Sequence, residues 1–474
     1  MLWMLLAGAG VAGPARTPLT LADAIATALA SNLEHQQAAL SLDRRRAEVL
    51  GVLGQYDPVL SGAVNTGAST APTNAAIDGT EEIVSQSAGW SASVDQLLPS
   101  GGSASLYWSE SFSDSNSANL VSASTVSDRV ALAVSQPLLG GWWAPIRDVR
   151  GAALSLTDEE LDLRAATEQL VLDTSAAYWR LVSAGESHTL AIRSREIAQQ
   201  SLADARERFD EGFAGSGDVH QVERALGTAR QSEVIASAEV EAADRALRRA
   251  LGQPVSPTAL LDPVDRPQVP DALPGYEEVL AEAQRSNVTW RRQQLALEQA
   301  RLGVKAARNA ALPDLALTGA VGFSGLASHA PAARQQLEGG TYRDWGIGAS
   351  LSVPLAGRPI RSALETAAID RDVALLALEA AEEDLVLAVQ AAVRAAVTDR
   401  LRVSLAEDTV RVAKLALEAD QELSREGKGS TRDVVLSLEA LDQVQVEYLQ
   451  AQIDLQASLL ELRRVAGTLL PSPG

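Results

Sequence analysis

Residues 21–58, LADAIATALASNLEHQQAALSLDRRRAEVLGVLGQYDP, align without a gap on residues 276–313, YEEVLAEAQRSNVTWRRQQLALEQARLGVKAARNAALP. Ser31-Asn32 falls on Ser286-Asn287, Leu40 and Leu42 on Leu295 and Leu297, and Pro58 on Pro313, at a constant offset of 255. A second set of landmarks repeats at an offset of 215: Glu211-Gly212 on Glu426-Gly427, Asp218-Val219 on Asp433-Val434, and Leu247 to Gly252 on Leu462 to Gly467. The chain is therefore a tandem duplication, with a first copy over 16–253, a second over 275–468, a Pro-rich linker over 254–274 and a tail over 469–474. Length alone would suggest about three ordinary domains, so the repeat has to be recognised first.

Composition narrows the class. Aromatics make up only 4 % of the 474 residues, which argues against large aromatic-anchored cores and for thin, helix-rich packing. A formal charge of −21 excludes a nucleic-acid partner, because phosphate binding needs clustered Lys and Arg. With no Cys, disulfides and thiolate metal sites are excluded. Residues 1–15, MLWMLLAGAGVAGPA, are apolar and end in small residues, and they read as an export signal shortened at its basic end. No other stretch reaches the ~20 consecutive apolar residues of a transmembrane helix, so entry into a membrane would have to use strands.

From Thr20 as N-cap a helix is expected to run to about Leu53, where Gly54 and Pro58 stop it. The period then changes from 3.6 to 2, predicting strands over 59–66, 87–97, 103–113 and 129–136, the middle two flanking the Pro99-Ser100-Gly101-Gly102 turn. These strands set small or polar residues opposite apolar ones, the pattern of a barrel wall in a membrane. Trp90, Trp108, Trp142, Trp143 and Trp345 all lie in or beside strand-like blocks, where an interfacial aromatic girdle would place them. A helix from about Ile146 to Asp210, roughly 97 Å long at 1.5 Å per residue, turns at Glu211 to Gly217. Asp218 is expected to cap a returning helix to about Leu251. The second copy repeats the plan: a helix over 276–310, strands over 315–323 and 345–353, a helix over 360–425, a turn over 426–431 and a helix to about Ala466. In that last helix Val434, Leu438, Leu441, Gln445, Tyr448, Gln452, Leu455, Leu459 and Leu462 form a 3.5-residue seam. Its two Gln suit either a register-setting role or a wet location.

The Thr20-Leu21-x-Asp23-Ala24-Ile25 opening, Ser31-Asn32, the prolines Pro58 and Pro313 before strands, Gln136-Pro137-Leu138 and Val353-Pro354-Leu355 after them, and the Gly-x(5)-Asp-Val tips together resemble the TolC family of outer-membrane efflux proteins. The resemblance implies a mainly α fold with a β-barrel part, located in the outer membrane with helices projecting into the periplasm. Long antiparallel helical hairpins would form a periplasmic α-barrel, and strands from three copies would form one transmembrane barrel. Typical members give four strands per protomer. Here 78 residues separate Pro58 from Pro137 but only 40 separate Pro313 from Pro354, leaving room for an additional hairpin in the first copy.

By the same resemblance, Asp218 and Asp433 stand where the family's periplasmic gate carries aspartates, and Gly212, Phe213, Gly427 and Lys428 where the tips dock a periplasmic adaptor. A further gate aspartate of some relatives is replaced by Leu436. Six carboxylates in one constriction would focus a negative field, while at the level of the helix each Asp also suits a cap. The implied partners are a homotrimer, an adaptor with its inner-membrane pump, and outer-membrane lipid; no cofactor is implied. The four His are scattered without ligand spacing, and Gly427-Lys428-Gly429-Ser430-Thr431 lacks the strand and the order of a phosphate loop, so no enzyme is expected. The reading is an exit duct for efflux or type I secretion, and the rival is a non-transporting periplasmic coiled-coil scaffold.

Overall fold

The computed structural model describes residues 15–212, 215–254, 259–426 and 428–470. In the first copy, strand β1 (Ala15–Leu19) precedes helices α1 (Leu21–Ser31) and α2 (Leu33–Leu53), strands β2 (Val59–Pro72), β3 (Glu82–Leu97), β4 (Ser103–Ser115) and β5 (Ser124–Pro137), and helices α3 (Ala144–Asp210) and α4 (Ser216–Ala250). Strand β6 (Ala259–Pro263) lies in the linker. The second copy holds α5 (Tyr276–Ser286), α6 (Val288–Ala310), β7 (Asp314–Ala327), α7 (Ala330–Glu338), β8 (Tyr342–Ser352), α8 (Arg358–Arg425) and α9 (Thr431–Ala466). Two compact units cut across the copies: one takes the chain up to 42, 160–292 and from 379 onward, the other 43–159 and 293–378.

In the strand-bearing unit, β2-β3-β4-β5-β7-β8 form one antiparallel sheet. The expected strands are all present, but most run further at the ends away from the helices. β2 continues from Thr66 to Pro72, and β3 begins at Glu82. These extensions are rich in Ser, Thr and Ala, and their ladder hydrogen bonds come from the backbone rather than from apolar pattern. Helix α7 was not expected. It starts with Pro331 in its first turn and lies on the sheet where Gly325 leaves the space a Cβ would fill, against the Ala333 carbonyl.

In the helical unit the expected single helix over 21–53 is broken at Asn32, and that over 276–310 at Asn287. Both Asn have extended ψ, 127° and 124°, and each cross-links the chain. Asn32 Nδ2 donates to the Ala250 carbonyl at 3.0 Å and Asn287 Nδ2 to the Val465 carbonyl at 2.9 Å. Their Oδ1 atoms accept from the first-turn amides of α2 and α6, Glu34 N–H and Trp290 N–H, as N-caps. Opposite them sit Gly252 (φ +67°) and Gly467 (φ +73°), where a Cβ would overlap the backbone of Ser31 and Ser286. The repeated Ser-Asn and Leu-Arg-Arg landmarks are thus two halves of one contact, made twice.

Most of the linker is described as a laced strap. β6 pairs in parallel with β1, the Leu261 amide donates to Asp244 on α4 at 2.8 Å, and Arg248 closes the other oxygen of Asp244 at 2.8 Å. Asp265 accepts from the Leu21 amide at 2.6 Å and lies 2.8 Å from the Tyr178 hydroxyl, whose pKa is pushed up to about 12, mainly by burial. The α9 seam packs on α8: Val434, Leu438 and Leu441 cluster with Val410 and Leu417, and Leu455 with Val403. Gln445 and Gln452 instead line a cavity of about 640 Å3, together with Lys414 and His188. That favours the wet location for both amides.

Two measurements follow from these contacts. Gly467→Ala must adopt a left-handed conformation costing about 1–2 kcal/mol and must also displace Ser286, so its melting temperature by circular dichroism is expected to fall clearly. Gly303→Ala, exposed within α6 with open space around it, is expected to gain roughly 0.5–1 kcal/mol. Equal effects would contradict the junction. Separately, burial pushes the Asp442 carboxyl above its ordinary value, the Ser194 hydroxyl pulls it back, and Glu439 adds to the rise. A raised acid gives stability while protonated and loses it as pH climbs through the folded value. Asp442→Asn is therefore expected to raise the melting temperature near pH 7 and to flatten the profile above pH 3.8, the ordinary value of this carboxyl. An unchanged profile would show that Asp442 does not titrate in this way.

Candidate functional site

Two features of the molecule are candidates for a functional site, the helix-hairpin tips and the two-faced sheet. At the first tip α3 ends at Asp210, and Gly212 follows with φ +81°, a conformation that favours glycine, with its Cβ direction open to solvent. Phe213 lies outside the described residues. Gly215, not Asp218, is the N-cap of α4. Asp218 stands three residues in, and its carboxylate reaches back to accept from the Gly215 amide at 3.0 Å. A glycine has no side chain with which to cap, so the acidic residue in the first turn satisfies the free amide instead.

The second tip is built alike with different residues. Lys428 and Gly429 both donate their amides to the Leu423 carbonyl at 2.9 Å, which closes α8, and Ser430 caps α9 by accepting from the Arg432 amide at 3.1 Å. Asp433 again occupies the third position of its helix and is exposed, as Asp218 is. Lys428 Nζ pairs with Glu426 at 2.8 Å, and Gly427 lies outside the described residues. An Arg208 contact with the Ser424 carbonyl, 3.4 Å, brings the two tips side by side. Leu436, half exposed, presents an apolar side chain one turn into α9.

Alternation gives the sheet two chemically distinct faces, since opposed residues share a face and neighbours along a strand do not. Leu60, Val94, Leu106, Leu132, Val321 and Trp345 form one continuous row across all six strands, and Ile347, 74 % exposed, belongs to the same face. The other face carries Ser61, Ser93, Tyr107 and Ala131 in one register row and Ser105, Ala133 and Ala320 in another. On this hydroxyl-rich face Arg129 reaches over Gly322 to Asp344 at 2.8 Å. Exposed apolar side chains concentrated on one face of an antiparallel sheet suit lipid, and the Ser-rich face suits water.

Trp90, Trp108 and Trp345 are on the apolar face, Trp90 and Trp108 edge to face at 4.9 Å. Trp142 and Trp143 lie beyond the sheet, between β5 and α3, with the Arg150 guanidinium 5.7 Å from the Trp143 ring. The sequence had not suggested the charges that interrupt the apolar face. Asp128, fully buried, accepts from the Trp108 indole at 2.8 Å, and Arg334 of α7 pairs with Glu110 at 2.9 Å and approaches Asp128 to 3.8 Å. Their only trace in the sequence is a pair of acids at apolar positions of the alternation.

Among the described residues, no group of three His, Cys, Asp or Glu could hold a metal ion, and no helix is long and apolar enough to cross a membrane. Residues 279–468 match the profile of the family described as outer membrane efflux protein. The outer membrane protein TolC of Vibrio cholerae is 27 % identical over 312 residues, covering 64 % of this chain and 69 % of that protein. The TolC of Escherichia coli is 24 % identical over 332 residues, covering 67 % and 66 %. Among solved structures, CusC superposes with a TM-score of 0.69 at 17 % identity over 94 % of this chain and 92 % of that one. The Campylobacter jejuni CmeC outer membrane channel gives 0.66 at 17 % over 95 % and 86 %. With the duplicated hairpins and the two-faced sheet, these likenesses make the chain similar to outer membrane efflux proteins, by sequence over 279–468 and by fold over nearly its whole length.

Proposed function

We propose that the chain is one protomer of a homotrimeric exit duct, passive in itself, that receives cargo from an inner-membrane pump through a periplasmic adaptor docked at the hairpin tips. The observation that carries this reading is the sheet with one lipid-compatible and one hydroxyl-rich face, its outermost strands β2 and β8 both exposed along their whole lengths. An apolar face left bare in the protomer, opposite a hydroxyl-rich one, suits a wall with oil on one side and water on the other. On this reading the hairpins α3–α4 and α8–α9 are the periplasmic part of the chain.

At those tips the exposed Asp218 and Asp433 would bring six carboxylates of a trimer into one aperture and favour cations over anions. Both side chains keep acceptor capacity for this, since Asp218 spends one oxygen on its cap contact and a carboxylate offers about four lone-pair sites. Gly212 and the neighbourhood of Lys428 would form the adaptor contacts, where an open, left-handed glycine admits close approach of a partner backbone.

Gly212→Asn keeps a left-handed backbone at low strain and adds a side chain to the tip. It is expected to abolish export in cells that carry the matching pump, with trimers still in the outer-membrane fraction; full export would reject docking there. In planar bilayers the Asp218→Asn, Asp433→Asn double variant is expected to lose most of its preference for cations. Retained selectivity would take both residues out of the gate. A soluble elongated dimer in place of membrane trimers would favour the coiled-coil scaffold.

A further inference from the structure

We infer that the additional hairpin β3–β4 is part of the membrane wall, so that three copies of this chain close an eighteen-stranded barrel. This rests on the trimeric exit-duct reading and goes beyond it, since four strands per copy would give twelve. The first observation is depth. The turn between β3 and β4 reaches the helix-side end of the sheet and is locked there. Ser100 Oγ donates to Gln136 at 2.6 Å, Gln136 Nε2 donates back to the Ser100 carbonyl at 2.9 Å, and Gln96 donates to the Tyr56 carbonyl at 3.2 Å. A Cβ on Gly101 would run into the backbone of Trp142. A flap on the outer surface would have no reason to be fastened at the opposite end.

The second observation is the continuity of both faces. β3 pairs with β2 from Asp95 to Glu82, and β4 pairs with β5 from Ser103 to Asp114. Val94 and Leu106 carry the apolar row from Leu60 to Leu132 without a gap, while Ser91 and Ser109 continue the hydroxyl face. A hairpin outside the membrane would not need to present apolar side chains on the same side as its neighbours.

The third observation is what the edges require. Six strands are fewer than the eight of the smallest membrane barrels, so one chain cannot close alone. β2 runs away from the helix-side end and β8 runs back toward it, so β8 of one copy meets β2 of the next antiparallel. Leu60 and Val64 on one edge and Trp345 and Ile347 on the other lie on the same face, and their exposures of 74 % to 88 % make them the barest apolar residues of the wall. The occupant of each edge is therefore a second copy of this chain.

With strands about 4.8 Å apart and tilted by about 40°, a ring of twelve has a radius of about 12 Å and a ring of eighteen about 18 Å. The outer opening would then be half again as wide and lined by hydroxyls. Size selection would fall to the tips rather than the membrane wall.

Electron cryomicroscopy of the full chain in lipid nanodiscs is expected to show a trimer with a ring of eighteen strands. A trimer with twelve strands and the hairpin outside the ring would overturn this inference and leave the exit duct standing. Monomers or dimers would overturn the exit-duct reading itself. Because the chain has no Cys, engineered pairs give a second readout. Ala63→Cys with Ser91→Cys and Ser105→Cys with Ala133→Cys join opposed residues across the two seams that flank the hairpin. Both pairs are expected to form disulfides in membrane-inserted trimers, and reduced thiols in either pair would count against the hairpin's place in the wall.

Discussion

A peptide group without a hydrogen-bond partner in hydrocarbon costs several kcal/mol, and the strand unit is arranged around that cost. Five ladders satisfy the interior strands, and the only long runs of unpaired backbone are on β2 and β8. Everything else about the sheet is compatible with a wall whose backbone is satisfied and whose side chains separate two solvents. Even the hydroxyl face is internally bonded, as when Ser105 donates to Asp95 at 2.5 Å. The buried Asp128 follows the same logic: a charge on the apolar face persists because α7 lays Arg334 over it and Trp108 donates to it.

The helical unit is governed by backbone approach of another kind. Two return helices end against two Ser-Asn turns, so close that only glycine fits at 252 and 467. The contact explains why the sequence repeat is sharpest at residues that look unremarkable individually. An Asn that breaks a helix, caps the next one and donates to a distant carbonyl cannot be exchanged for a better helix former without losing all three. The change of offset from 255 to 215 also has a structural address. α3 and α8 differ by a single residue, 67 against 68, so nearly all the length that separates the copies falls in the strand block.

Much of this was legible in the sequence because it depends on local periodicity. The long hairpins, the six strands, the Pro99 to Gly102 turn and the Thr20 cap all leave a pattern within a few residues. What escaped was set by contacts between distant segments. The breaks at Asn32 and Asn287 lie in otherwise helical stretches, and the partners that hold them are about 180 to 220 residues away. α7 is nine residues long and becomes a helix against Gly325, which no local propensity records. Asp218 was expected at the cap and stands at the third position, because the preceding Gly-rich turn offers no side chain to cap with and the carboxylate can reach back. Ser430 rather than Asp433 caps its helix and Asp218 reaches only the Gly215 amide, so the gate role proposed for both rests on the resemblance and on their place at the tips.

The duplication makes the two helical halves alike wherever packing constrains them, and outside the strand block the tips are where they differ. At the first, Gly212 stands open in a left-handed conformation and Glu211 has no neighbouring lysine in sequence. At the second, Lys428 neutralises Glu426, and an apolar Leu436 takes the position one turn into the helix. Exposed pairs of this kind add little stability, so the lysine is better understood through the field it changes. On the exit-duct reading, the second tip contributes Asp433 beside a neutralised Lys428–Glu426 pair, while the first contributes Asp218 with Glu211 as a further acid. A six-fold arrangement of hairpins would then carry a three-fold pattern of charge, strongest at Asp218.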